Sequence, residues 1–401
     1  DGGSAWPLQR LMTEGGGSGH RSADDMTREQ AREAFRRVLD GEPAATTLGA
    51  FWLANRWKRN TPTELAAFAD VMCAESVERG VPDADPVDCG ANYDGKHTSA
   101  LLGVASGLVA AAAGTPVVTH SGDRVPTHEA TAYRHVLDEL GVRTDLDPAE
   151  SAAMVDEVGF GFYYQPNFNP GVHALRPRRA EMGVRTFVNT VETLANPAGA
   201  SVHLGSFFHL SFAKRLANAV RAREETSVER VLLFQGLEGY DDVRPGSTVV
   251  AEWPPRGDHA REHEGENGGN DRDASNGGDG RNDGNGGHGD PAAEAGEAGE
   301  ADAGAPAAGI ADFEIRTADY GFDVDREALA VDDVAADSAA LTQAVCRGER
   351  EDALLDAVAL NAALRMYARE DVGDLRTGVE RARAAIADGR AADRLAALRA
   401  F

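Results

Sequence analysis

The chain has 401 residues, of which 66 are acidic and 40 basic, giving a formal net charge of -26. That length favours two subdomains over a single core, and that charge repels nucleic acid and anionic membranes taken as wholes. Three scattered cysteines, Cys73, Cys89 and Cys346, exclude a disulfide framework or a cysteine zinc site and predict a reducing compartment.

Only Lys58, Lys96 and Lys214 are lysines, and arginine supplies the remaining basic charge. Excess carboxylate with almost no lysine predicts a protein from a salt-adapted cell, where screening weakens self-repulsion. No basic, apolar and small-residue leader pattern is visible, so a cytoplasmic protein is expected. Residues 98–121 are uncharged and long enough to raise the question of a membrane span. Their alanines and glycines, with the Gly114-Thr115-Pro116 break, fit a buried helix turning into a strand better.

In chain order, residues 6–12 suggest a short helix docking on the body. Thr27 with Gln30 predicts a capping box ahead of Ala31, Ala34, Phe35, Val38 and Leu39, which share one helical face. Thr61, Pro62 and Glu64 repeat the signal ahead of Leu65, Phe68, Ala69 and Met72. The segment 1–84 is therefore expected to be a small all-helical N-terminal domain.

From Pro86 short apolar runs alternate with helix-length segments, and candidate strands lie at 87–89, 116–119, 159–163 and 230–234. This predicts a larger α/β domain over 85–253 with a central, mostly parallel sheet flanked by helices, part of 165–200 packing on the helical domain. Residues 254–309 are so rich in Gly, Asn, Asp and Glu that a disordered acidic insertion is expected. The α/β domain then resumes over 310–401, with a strand near 313–317 and amphipathic helices at 338–366 and 375–398. No internal repeat is visible.

Three segments carry candidate chemistry. In Asp88-Cys89-Gly90-Ala91-Asn92-Tyr93-Asp94-Gly95-Lys96-His97-Thr98-Ser99, a glycine turn between strand and helix lets backbone N–H groups approach phosphate, with Lys96, Thr98 and Ser99 adding a cation and hydroxyls. An ordinary βα turn is the plain alternative. Thr119-His120-Ser121-Gly122-Asp123-Arg124 is either a ligand loop or a strand end with a buried structural histidine. Gly236-Leu237-Glu238-Gly239-Tyr240-Asp241-Asp242 ends in paired acids, which suit a hard cation or a solvated surface.

These segments, with "RPRRAEMGVRTFVN" (176–189), Asn196-Pro197 and "VALNAALRMYA" (358–368), stand in an order that resembles the anthranilate phosphoribosyltransferases of glycosyltransferase family 3. The resemblance covers nearly the whole chain outside the acidic insertion. It implies phosphoribosyl pyrophosphate bound between the domains, Mg2+, a small aromatic acceptor and a homodimer through the helical domain.

Carried over by position, Gly90, Asn92, Asp94, Gly95, Lys96, Thr98, Ser99, His120 and Arg124 are expected to hold phosphoribosyl pyrophosphate. His120, Asn169 and Arg179 are expected to hold the acceptor, and Asp241, Asp242 and Thr98 the metal. The implied function is transfer of the phosphoribosyl group to anthranilate or a similar aromatic amine. The glycine loop lacks the family's Gly-Thr-Gly-Gly-Asp spelling, and Thr119 and Asp123 replace a lysine and an asparagine. A non-catalytic nucleic-acid-binding paralogue, using Arg176, Arg178, Arg179 and Arg185, and a nucleoside phosphorylase-like enzyme, whose phosphate would sit on "GKHTS" (95–99) and Ser121-Gly122, stay open as alternatives.

Overall fold

The structure is a computed structural model that describes residue 8 and residues 24–90, 93–125, 129–207, 209–240, 242–256 and 309–401. Asn92, Asp241 and nearly all of the expected insertion lie outside the described residues.

Helix α1 (Arg28–Leu39) and helix α3 (Pro62–Glu75) start at the two predicted capping boxes, each with both reciprocal bonds formed. Helix α2 (Ala45–Lys58) lies between them and ends at Arg59, whose φ is +64°. Phe35, Phe68 and Phe187 bind this helical unit to the rest, Phe68 and Phe187 stacking with ring centroids 4.2 Å apart.

The larger part is a seven-stranded sheet in the order β3-β2-β1-β4-β5-β6-β7. Its strands are β1 (Val87–Gly90), β2 (Val117–Ser121), β3 (Phe160–Tyr164), β4 (Val202–Phe207), β5 (Arg230–Gln235), β6 (Ser247–Trp253) and β7 (Ala311–Arg316). The first five pair in parallel, and β6 and β7 add antiparallel at one edge. The chain leaves β1 toward β2 on one side and returns to β4 on the other. That reversal opens a crevice at the carboxyl ends of β1 and β4, where ligands settle in open α/β sheets.

Alternate strand residues feed two cores. Val117, Phe160, Leu204, Leu232 and Phe234 face a layer made by α4 (Gly103–Ala112), α5 (Tyr133–Glu139), α9 (Val334–Cys346), α10 (Ala353–Ala368), α11 (Leu375–Ala387) and α12 (Arg390–Ala400). Val118, Val231, Leu233 and Ala251 face the other way, into a cluster shared with α1, α3, α8 (Leu210–Arg221), Phe168, Val172 and Val188. Helix α6 (Pro148–Val158) leads into β3, and α7 (Arg176–Met182) follows it.

Two strands were not expected from the sequence, β4 and β6. The first mixes His203, Gly205 and Ser206 into its apolar run, and the second has Thr248 and Glu252 buried among its valines. Each expected C-terminal helix is two, broken at Gly348 (φ +68°) and Gly389 (φ +80°), where left-handed backbone stops a helix. Among the described residues no helix is long and apolar enough to cross a membrane, and the uncharged run at 98–121 forms α4 and β2.

Candidate functional site

At the end of β1, Gly90 is required because a Cβ there would come within 2.4 Å of both His203 and the Thr193 carbonyl. Gly95 turns the following loop at φ +82°, and Lys96 then exchanges backbone hydrogen bonds with Thr131. This pins residues 96–99 across the crevice.

Lys96 is paired with an acid of its own chain. Its Nζ lies 2.6 Å from Asp242 Oδ2 with neither side chain exposed, and it also donates to the Ala100 carbonyl at 2.8 Å. The same Asp242 oxygen accepts from the Leu102 amide, while Oδ1 is buried without a hydrogen-bond partner. Two residues expected to bind a diphosphate and its metal therefore neutralise each other, as a buried charge needs an opposite charge beside it. Asp242 does not fit a magnesium ion, which keeps several waters. Among the described residues no group of three His, Cys, Asp or Glu is placed to hold a metal.

Thr98 and Ser99 are also engaged, by a residue the sequence reading passed over. Glu238 sits at φ +55° and turns its carboxylate onto the loop. Oε2 accepts from the His97 amide at 2.9 Å, and Oε1 accepts from the Ser99 amide at 2.9 Å and the Thr98 and Ser99 hydroxyls at 3.1 and 2.5 Å. Burial alone would raise the Glu238 pKa, but the Ser99 hydroxyl, the His97 amide and the Lys96 charge outweigh it, leaving the carboxyl below its ordinary value. Two amides and two hydroxyls converging on one anion form the kind of nest that receives phosphate oxygens.

Beneath this nest lies a buried relay. Asp88 Oδ2 is 2.8 Å from His203 Nδ1, and Asp88 Oδ1 is 3.2 Å from His120 Nε2. His120 Nδ1 meets the Tyr93 hydroxyl. Burial works to raise the Asp88 pKa, yet the two imidazoles prevail and bring it to about 2. Burial, then Glu192 and Asp88, hold the Tyr93 phenol well above its ordinary value. His120 is unexposed and both ring nitrogens face protein groups. Tyr93 takes the middle of the glycine loop inward. His203 Nε2 is buried without a partner beside Gly90 and Gly205.

The expected acceptor side is also closed. Arg179 makes a bidentate pair with Glu192, at 2.9 and 2.8 Å, and Gln165 donates to the same carboxylate at 2.8 Å. Burial would lower the Arg179 pKa, but Glu192 more than reverses it. An acceptor carboxylate at Arg179 would have to displace Glu192 from this buried fork. Asn169 accepts from the Ser76 hydroxyl at 2.5 Å, and its Nδ2 is buried without a partner. Asp94 pairs with Arg185 and accepts from Asn189 at 3.1 Å, and Arg124 stands at the exposed rim, donating to the Glu129 carbonyl. Glu192 had a sequence signal, an acid inside the apolar turn before Asn196-Pro197. Asp88 and Glu238 lay inside the first and third segments without an assigned role, and His203 had no signal that spacing along the chain could supply.

The sequence matches the glycosyl transferase family α/β domain over residues 88–263 and 287–392, and the helical bundle domain of that family over residues 18–76. It is 28% identical to the anthranilate phosphoribosyltransferase of Natronomonas pharaonis, covering 94% of this chain and 96% of that one. The Leptothrix cholodnii enzyme of the same name is 29% identical over 90% of this chain and 88% of its own. Among solved structures, the Thermus thermophilus anthranilate phosphoribosyltransferase superposes with a TM-score of 0.72 at 24% identity, covering 98% of both chains. The Saccharomyces cerevisiae protein in complex with phosphoribosyl pyrophosphate and magnesium gives a TM-score of 0.72 at 14% identity, covering 98% of this chain and 97% of that one.

Proposed function

Because the chain belongs to the glycosyl transferase family, with its helical bundle and its α/β domain in order, we propose that it transfers the phosphoribosyl group of phosphoribosyl pyrophosphate to a small aromatic amine. The observation that carries this reading is the nest at residues 97–99, now filled by the Glu238 carboxylate. A donor phosphate takes the same two amides and two hydroxyls once Glu238 swings away. The left-handed backbone of Glu238 favours that exchange, because a side chain held at φ +55° is strained and relaxes when its contacts go.

In the reaction the anomeric C–O bond to diphosphate breaks and its electrons leave with the diphosphate. The amine nitrogen forms the new C–N bond, and its surplus proton passes to the departing diphosphate. The helix-side amides and hydroxyls at 97–99 stabilise the leaving charge, and the crevice between β1 and β4 aligns the partners. The closed Arg179–Glu192 pair narrows the acceptor to amines that do not need a guanidinium for a ring carboxylate, which argues against anthranilate itself.

The test is release of pyrophosphate from phosphoribosyl pyrophosphate in the presence of a panel of aromatic amines that includes anthranilate. Turnover with an uncharged amine supports the reading, and a wild type inert with the whole panel and silent in calorimetry overturns it. One second reading, a non-catalytic member that binds nucleic acid, keeps the exposed Arg176, Arg178 and Arg185 but loses Arg179, which is buried against Glu192. That member would bind a single-stranded oligonucleotide, with affinity falling as salt rises, and release no pyrophosphate. The phosphorylase reading loses its phosphate cation, since Lys96 is buried against Asp242.

A further inference from the structure

Outside the crevice, a pocket of about 210 Å³ opens between the helical unit and the α/β domain. Four arginines are among its lining residues, Arg56, Arg59, Arg185 and Arg215, with Phe187 and Phe212, and no acidic residue is, although Arg185 reaches Asp94 nearby. In a chain with 26 more acidic than basic residues this is a local reversal of charge. We propose that the pocket binds a small phosphate monoester carrying a flat apolar group.

The chemistry follows from the lining. A phosphate monoester holds close to two negative charges near neutral pH and three acceptor oxygens, which match the planar donor forks of several arginines. The phenylalanine rings offer an apolar face for the rest of the molecule. The volume is below the range of about 300–1,000 Å³ typical of drug-sized ligands, so one ring and one phosphate fill it. Two of the four arginines are held in advance: Arg185 pairs with Asp94, and Arg56 donates to the Arg185 carbonyl at 2.8 Å. Such preorganisation lowers the ordering cost of binding.

Arg59 supplies a second, independent observation. It caps α2 at φ +64°, ψ 126°, a backbone that suits glycine and strains any other residue. Strain of that kind persists at ligand clamps, and here the strained residue is one of the guanidiniums on the pocket. The inference does not depend on the phosphoribosyl reading, since the nest at 97–99 contributes no residue to this lining.

The probe is phenyl phosphate, titrated by calorimetry into the full chain in low salt. One-to-one binding is expected, with Arg59→Gly and Arg215→Gln each weakening it about tenfold, the loss of roughly one charge-assisted bond. Arg59→Gly should keep or raise the melting temperature, because it removes strain, which separates loss of binding from loss of fold. Undiminished binding in Arg59→Gly and Arg215→Gln overturns the proposal, as does equal affinity for inorganic phosphate and phenyl phosphate. Tighter phenyl phosphate binding in Glu238→Gly, with Arg59→Gly and Arg215→Gln unchanged, would assign the ion to the crevice and also overturn it. An oligonucleotide that displaces the probe, with affinity growing with its length, would make the pocket part of a nucleic-acid surface instead.

Discussion

Asp88 stays ionised in a fully buried position because His120 and His203 flank it, and its pKa falls from 3.8 to about 2. A carboxyl whose folded value is depressed contributes stability that is fully present above its ordinary pKa and is lost as pH falls through the folded one. The window here is about pH 4 down to about 2, and the contribution is about 2 kcal/mol. Asp88→Asn should flatten that acid limb in melts recorded from pH 5 to pH 2, and should lower stability at pH 7 by about 3–5 kcal/mol. An unchanged acid limb would show that the relay does not hold the carboxylate. Lys96 and Asp242 invite a double-mutant cycle. Lys96→Met alone should cost about 3–5 kcal/mol by leaving a buried carboxylate unpaired, and adding Asp242→Leu should recover most of it. Additive losses in urea denaturation would contradict the pairing. At this scale the sequence pointed to a neighbourhood but not to the pairings within it. Residue type and chain position marked Lys96, His120, Arg179 and Asp242 as candidates, but their partners Asp88, Glu192 and Tyr93 are supplied by the fold, and those partners decide whether a charge faces a ligand or another side chain.

Elements whose ends are written in local chemistry were legible. The boxes at Thr27 and Thr61 formed as expected because a side chain three residues away closes each one. Strands buried on both faces were less so: β4 carries His203 because Asp88 on the next strand accepts its proton, a reason invisible along the chain. Helix α2 has a face that packing does not explain. Leu53 is 48% and Trp57 68% exposed on it, one turn apart, while Leu48, Phe51 and Trp52 are buried. We propose that this face is where two copies of the helical unit meet, as the family resemblance implies. Leu53→Glu with Trp57→Glu should convert a dimer to a monomer in sedimentation while leaving the helical circular dichroism intact. A wild type that sediments as a monomer would rule this out.

Over the whole molecule, the acidic charge and the segment between β6 and β7 were the plainest features of the sequence. Glu252 pairs with Ala311 in the sheet register, so whatever joins the two strands begins and ends at neighbouring positions. Deleting residues 257–308 and closing the gap with a short Gly-Ser turn should therefore leave the melting temperature in molar salt within a few degrees, since loop length enters stability only logarithmically. A large drop would mean that the deleted residues pack on the body. The parallel sheet was also legible, because alternation of strand and helix predicts one, but the crevice between β1 and β4 was not, because β4 carries too mixed a run to be read as a strand. What the sequence withheld was that the nest in that crevice is filled by the chain's own carboxylate. The central claim is that this nest receives the donor's phosphate in exchange for Glu238, and it is tested most directly by titrating phosphoribosyl pyrophosphate calorimetrically into the wild type and Glu238→Gly. The expected result is binding by both, about tenfold or more tighter in Glu238→Gly, where neither a competing charge nor a strained backbone opposes the ligand. Binding that is weaker in Glu238→Gly, or absent from both proteins, would contradict it.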